Sequence, residues 1–122
     1  MCEARGIRSD LVPRIASGLC SGIARSGDLC GAVSGGILAL GAIVGRNSPA
    51  DSIDPIYAAV RELKRAFAQA YGSTNCRELI GCDLGTEEGQ RHFAEQGLRE
   101  RCGGFVQTAA RIVLAIADEE PV

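Results

Sequence analysis

The chain has no tryptophan, one methionine and one histidine among its 122 residues. Its aromatic residues are Tyr57, Tyr71, Phe67, Phe93 and Phe105. They are too few and too scattered to form a base-stacking surface for single-stranded nucleic acid. The net charge of −2 gives no basic field for a duplex or an anionic membrane, so no nucleic-acid partner is expected. With His92 as the lone histidine, a Ser-His-Asp triad has few possible members, and no nucleophile-elbow pattern accompanies it. Residues 31–36 are glycine-rich, yet they follow no strand-like run and carry no phosphate-binding lysine, which excludes a P-loop. The uncharged run over residues 29–45 falls short of the ~20 residues of a membrane span, so it reads as a core helix and no membrane insertion is expected.

Apolar residues make up 46% and charged residues 23%, the balance of a globular chain with one core. The length fits a single domain over 1–122. Glycine is frequent, 16 residues, above the usual share of ~7%. Strand-type runs are nonetheless lacking, so the glycines point to helix ends and close helix contacts in an all-α bundle.

Helical periodicity runs through the chain. Leu11, Ile15, Leu19 and Ile23 predict a first helix over about 10–24, capped by Ser9 or Asp10, with Pro13 near its first turn. Asp28 is a good cap for a second helix reaching Gly45. Val33, Ile37, Leu40 and Val44 form one stripe of it, and Gly31, Gly35, Ala39 and Ala42 a second stripe of small residues. Apolar on nearly every side, it reads as the buried centre of the bundle. A third helix opens with Asp54 as cap and Pro55 in first position, turns Ile56, Val60, Leu63, Phe67 and Tyr71 to the core, and ends at Gly72. Ser73-Thr74-Asn75 caps a short helix from about Cys76 to Ile80, closed by Gly81. A polar helix over about 87–101 is interrupted by Gly89 and Gly97. The last helix begins near Cys102 or Gly103 and turns Phe105, Ala109, Ile112, Val113 and Ile116 inward. Its acidic end, residues 118–120, opposes the helix dipole and is expected to fray.

The cysteines are Cys2, Cys20, Cys30, Cys76, Cys82 and Cys102. An even count in a short secreted chain would mean a disulfide framework. Residues 1–10 are polar, without the apolar core of a signal peptide, so a reducing cytoplasm is the expected compartment. There, cysteines more often bind metal or do redox work. Cys30, Cys76 and Cys102 each fall in the first turn of an expected helix. Free backbone N–H groups and the helix dipole favour a thiolate at such places, and thiolate is the form that attacks disulfides and binds metal. Three such ends converging would suit a soft metal or an iron–sulfur cluster. Gly31, Gly81 and the Gly103-Gly104 pair would let backbone come close to the thiols. Against this, free cysteine also packs as a small buried hydrophobe, and no Cys-x-x-Cys pair is present. Arg77 and Arg101 flank two of these cysteines, where they lower a thiol pKa, hold an anionic substrate, or lie solvated on the surface. Glu87 and Glu88 serve the dipole of their helix, and His92 reads as a surface residue.

Three stretches, taken in order, carry a resemblance. They are Cys30-Gly31-Ala32-Val33-Ser34-Gly35, then residues 72–84 around Asn75-Cys76-Arg77-Glu78-Leu79, then Cys102 leading into Phe105-Val106 and Ala109-Ala110-Arg111-Ile112. Together they resemble the C_GCAxxG_C_C family over about residues 6–116. Members of that family are called redox-active largely because of four characteristic cysteines. The resemblance implies a small helical protein, often encoded near transporter or oxidoreductase genes, and so an oxidoreductase or transporter partner. Cys30, Cys76 and Cys102 match three of the four cysteines. The fourth belongs to an N-terminal helix that this chain is expected to lack, leaving Cys20 or Cys82 to supply a fourth ligand. Apolar surface bared in that way would be covered in a homodimer.

The expected function is then redox chemistry at Cys30, Cys76 and Cys102, with Cys82 or Cys20 as further metal ligands and Gly31 and Gly35 against the bound group. The cofactor is an iron–sulfur cluster or another soft metal. The alternatives are metal-free dithiol/disulfide cycling, or a non-catalytic interaction domain with structural cysteines.

Overall fold

The computed structural model describes residue 2 and residues 5–119. Its helices are α1 (Leu11–Ala16), α2 (Cys20–Ile23), α3 (Gly31–Val44), α4 (Asp54–Tyr71), α5 (Cys76–Ile80), α6 (Glu87–Glu95) and α7 (Arg99–Glu119). Among the described residues there is no strand, only one isolated antiparallel bridge between Leu29 and Asn75. The chain is the all-α bundle its periodicity predicts. No helix among the described residues is long and apolar enough to cross a membrane.

The core is a three-helix arrangement in which α3, α4 and α7 pack on one another. Apolar spacing explains which faces meet. On α4, Ala59, Leu63 and Phe67 are buried, while Arg61, Glu62, Lys64 and Arg65 are exposed. On α3, Val33 and Leu40 are fully buried, with Gly36 closely packed between Leu63 and Val113. On α7, Phe105, Ala109, Val113 and Ile116 follow at spacings of three and four. Phe67, Tyr71 and Phe105 form an aromatic cluster, with ring centroids 4.8–6.0 Å apart. The Tyr71 hydroxyl reaches Thr108 Oγ1 at 2.6 Å and so ties α4 to α7. The second stripe of α3 is not sealed: Gly35 faces open space and Ala42 is exposed.

The first expected helix is corrected most. α1 stops at Ala16, a 3-10 turn covers Ser17–Leu19, and the chain then enters a left-handed turn. Ser21, Gly22, Ile23, Ala24 and Arg25 all have φ between 52° and 65°. Each non-glycine residue there costs about 1–2 kcal/mol, because its Cβ crowds the following carbonyl. Hydrogen bonds hold the turn: Ala24 N–H to Cys20 O at 2.9 Å, Ser26 N–H to Ile23 O at 3.0 Å and Asp28 N–H to Gly22 O at 2.9 Å. The apolar stripe therefore does not face the core. Leu11 and Ile15 are 60% and 65% exposed.

Other boundaries move by a few residues. Asp54 is the first residue of α4 rather than its cap, and its N–H bonds to Ser52 Oγ. Cys30, not Asp28, occupies the cap position of α3, and no side chain caps that end. Gly97 (φ 61°) separates α6 from α7, so α7 begins at Arg99 and not at Cys102. Gly89 does not interrupt α6; its missing Cβ makes room for the Asp83 carbonyl. The chain is helical to Glu119, where Asp118 pairs with Arg5, and the rest of the acidic end expected to fray lies outside the described residues.

Candidate thiol site

Three of the cysteines begin core-facing stripes. Cys30 precedes Val33 by three residues, Cys76 precedes Leu79 by three and Ile80 by four, and Cys102 precedes Phe105 by three. At helical spacing each sulfur joins the face that its helix buries. Cys30 and Cys76 are buried, and Cys102 is half-buried against the core.

The Leu29–Asn75 bridge brings two of these helix starts together. Cys30 N–H donates to Thr74 O at 2.8 Å, and Cys76 N–H donates to Asp28 O at 2.7 Å. Those bonds bracket Leu29 and Asn75 as a close antiparallel pair. Alternation across an extended pair then puts Cys30 and Cys76 on the same opposite face, as diagonal neighbours. Asn75 also fixes where α5 begins, because its side chain accepts from Glu78 N–H at 3.1 Å. Gly81, at φ 74°, ends α5 one turn later.

Around these thiols lies a cavity of about 830 Å³. Cys20, Cys30, Cys76 and Cys102 all line it. Its walls are otherwise largely apolar, including Leu19, Leu79, Ile80, Leu84, Phe93 and Phe105, and Arg99 is the single charged residue among them. Cys20, Arg99 and Val106 are exposed, so the cavity reaches the surface at their edge. Gly31 and Gly35, expected to lie against a bound group, both line it. Cys82 is half-buried and stands outside the lining, and Cys2 is likewise elsewhere.

Electrostatics run opposite to the expectation from helix ends. Burial, with the neighbouring Cys30, Cys102 and Cys82, pushes the Cys76 thiol up to about 11. Burial also raises Cys102; Cys30 and Cys82 add to the rise, while Arg101 opposes it. Cys82 is raised by burial and then by Asp83. The dipole argument fails for concrete reasons. α5 is five residues long, the Cys76 N–H is already bonded, and Cys102 sits at the fourth residue of α7 with its N–H bonded to Leu98 O. Desolvation of a charged sulfur then wins. Arg77 does not act on a thiol but pairs with Asp83 at 2.7 Å. Arg101 donates to Leu79 O at 3.3 Å.

A structural zinc or iron–sulfur site needs about four ligands converging on one point. Among the described residues no three His, Cys, Asp or Glu side chains are placed so that they could hold a metal ion. The thiols share a cavity wall without forming a ligand cage, so this arrangement does not fit the expected metal group. Gly81, Gly103 and Gly104 also give no close approach, since a Cβ at each would meet nothing within 4 Å. His92 is exposed on α6, away from the cavity lining.

Sequence reasoning missed the cavity and its aliphatic and aromatic wall. Phe93, Leu84 and Leu19 come from three segments with no common motif, and only tertiary packing joins them. It also missed the left-handed turn, for which Gly22 is the single local signal.

Helices whose starts gather several free thiols around one cavity define a small cysteine-based helical protein. The model of the C_GCAxxG_C_C family, described as "Putative redox-active protein", matches residues 1–116, and the chain belongs to that family. No curated protein and no solved structure matches the chain.

Proposed function

We propose that Cys30, Cys76 and Cys102 form a metal-free thiol–disulfide centre that serves as an accessory to an oxidoreductase. The observation that carries this reading is the gathering of all three on one apolar cavity, where Cys76 lies within electrostatic reach of both Cys30 and Cys102. Forming one disulfide removes two electrons and two protons from a pair of these thiols, and a disulfide on the partner accepts them. Diagonal neighbours such as Cys30 and Cys76 stand roughly 7–8 Å apart at Cα. A disulfide spans about 4.4–6.8 Å, so closing it takes a small shift of the two segments. Burial of Cys76 and Cys102 keeps those two thiols protonated near neutral pH and makes exchange slow until a thiolate forms.

The iron–sulfur or soft-metal reading retains the thiol clustering and lacks a ligand arrangement among the described residues.

One experiment separates these readings. Protein purified without oxygen is assayed for iron, zinc and free thiols, then titrated with oxidised and reduced dithiothreitol and trapped by alkylation. The expected result is no stoichiometric metal and reversible protection of two cavity thiols, at least one of them Cys30, Cys76 or Cys102. Stoichiometric iron or zinc would overturn the metal-free centre. Thiols that never pair under oxidising conditions would leave the cysteines as packing residues.

A further inference from the structure

We propose that Cys20 is the entry thiol of this centre, taking up an external disulfide at the surface and passing the bond to buried Cys30. The inference rests on the thiol–disulfide reading above and adds to it a residue outside the three family cysteines.

Disulfide exchange needs a thiolate that can approach a sulfur of its target in line with the bond that breaks. None of the three family cysteines is exposed: Cys30 and Cys76 are buried and Cys102 is half-buried. A bulky disulfide therefore reaches them less readily than it reaches an exposed thiol. Cys20 is exposed and lines the same cavity, so it alone of the lining thiols faces both solvent and the interior. Its backbone is held beside Cys30. A Cβ built on Gly31, the residue after Cys30, would lie 3.4 Å from Leu19 O and 3.6 Å from Cys20 Cα. Two residues further on, Gly22 lies against the Cys76 side chain. The segment carrying Cys20 is thus anchored between the two buried thiols, and the left-handed turn is what returns the chain to Cys76.

The chemistry balances in two exchanges. Cys20 loses its proton and attacks one sulfur of an external disulfide. That bond breaks, and the first thiolate leaves and takes up a proton. Cys30 then loses its proton and attacks Cys20 Sγ, which forms the Cys20–Cys30 disulfide and releases the second thiolate to be protonated. The external disulfide gains two electrons and two protons, and the protein dithiol loses both.

The test uses the full chain with Cys2→Ser, which removes one half-buried thiol outside the cavity, and the bulky dianionic aromatic disulfide DTNB. Reduced Cys2→Ser protein is expected to release two coloured thiolates per chain in its fast phase, and peptide mapping to show a Cys20–Cys30 bond. Adding Cys20→Ser should slow the fast phase by about tenfold or more. Adding Cys30→Ala should give one fast release and a stable mixed disulfide on Cys20. Equal rates with and without Cys20, or a mixed disulfide on Cys20 that persists while Cys30 is present, would overturn the relay. Diamide, a small neutral oxidant, is applied to the same proteins. Interior thiols that pair with diamide in the Cys20→Ser protein show that its fold and the centre survive, so a failed relay is then the failure of Cys20 alone. Interior thiols that do not pair with diamide in any variant would overturn the centre and the relay together.

Discussion

Gly22 and Cys76 are in contact so close that only a residue without a side chain fits. A Cβ at position 22 would lie 2.5 Å from Cys76 Cβ, 3.1 Å from its Sγ and 2.9 Å from Asp28 N. The same residue has φ 65°. Gly22→Ala therefore meets two separate penalties: about 1–2 kcal/mol for the left-handed backbone, and about 1–3 kcal/mol for overpacking. Gly81 supplies the control. It too is left-handed, at φ 74°, but a Cβ there meets nothing within 4 Å. Urea denaturation should show Gly22→Ala losing about 2–5 kcal/mol and Gly81→Ala about 1–2 kcal/mol. Equal losses would mean that the Gly22–Cys76 contact does not constrain the fold.

The Cys76 thiol gives the protein a defined alkaline weakness. Its pKa rises from 9.0 to about 11 on folding, so the folded state holds the proton more tightly than the unfolded chain. Between pH 9 and about 11 the unfolded chain has shed that proton while the folded chain has kept it. Stability then falls as pH rises through this window and levels off above it; below pH 9 the thiol contributes no slope. Denaturation in a non-thiol reductant at pH 8, 9 and 10 should show a shallower decline for Cys76→Ala than for the unaltered chain. The slope should not vanish, because Cys82 and Cys102 are shifted in the same direction. An unchanged slope would show that Cys76 is solvated in the folded state.

Helix existence was legible in this sequence wherever an apolar stripe had a partner to bury it. The α4 pattern of Leu63 and Phe67 and the α7 pattern of Phe105, Ala109 and Val113 are local signals, and the structure buries each. Leu11, Ile15, Leu19 and Ile23 give an equally regular signal, yet the turn required by the Gly22–Cys76 contact cuts the helix at Ala16. Periodicity reports what a segment could bury, not whether a neighbour waits for it. At the site, Cys30, Cys76 and Cys102 were singled out by their places at expected helix starts and by the family resemblance, and the structure puts all three on one cavity wall. Their chemistry was not legible, because a helix start raises thiolate character only while the sulfur remains solvated, and burial is a tertiary property.

Asn75 tests how firmly the site depends on one cap. Its side chain satisfies Glu78 N–H, and its backbone belongs to the bridge that aligns Cys76 with Cys30. Asn75→Ala removes the first interaction and leaves the second. A loss of about 1 kcal/mol is expected from the cap alone. Fraying of α5 should also bare Cys76, so its alkylation at pH 8 should rise more than that of Cys102, which is carried on α7. Parallel increases at both thiols would indicate global loosening instead.

Gly35 and Gly36 are neighbours on α3 that should respond to alanine with opposite signs. A Cβ on Gly36 would come within 2.9 Å of Leu63 Cδ2 and 3.2 Å of Val113 Cγ2, where α3, α4 and α7 meet. Leu63 and Val113 are fully buried and have little room to give, so Gly36→Ala should cost about 1–3 kcal/mol. Gly35 lines the cavity and a Cβ there meets nothing within 4 Å. Replacing a helical glycine by alanine without a clash gains about 0.5–1 kcal/mol. Gly35→Ala should therefore stabilise the fold while placing a methyl group against the cavity. Thermal unfolding of the two variants reads the signs directly. If Gly35→Ala stabilises the protein yet slows oxidation of the cavity thiols by diamide, glycine at position 35 serves the cavity and not the fold. If it destabilises the protein, the open face of α3 is packed in solution, and the cavity is smaller than its walls indicate.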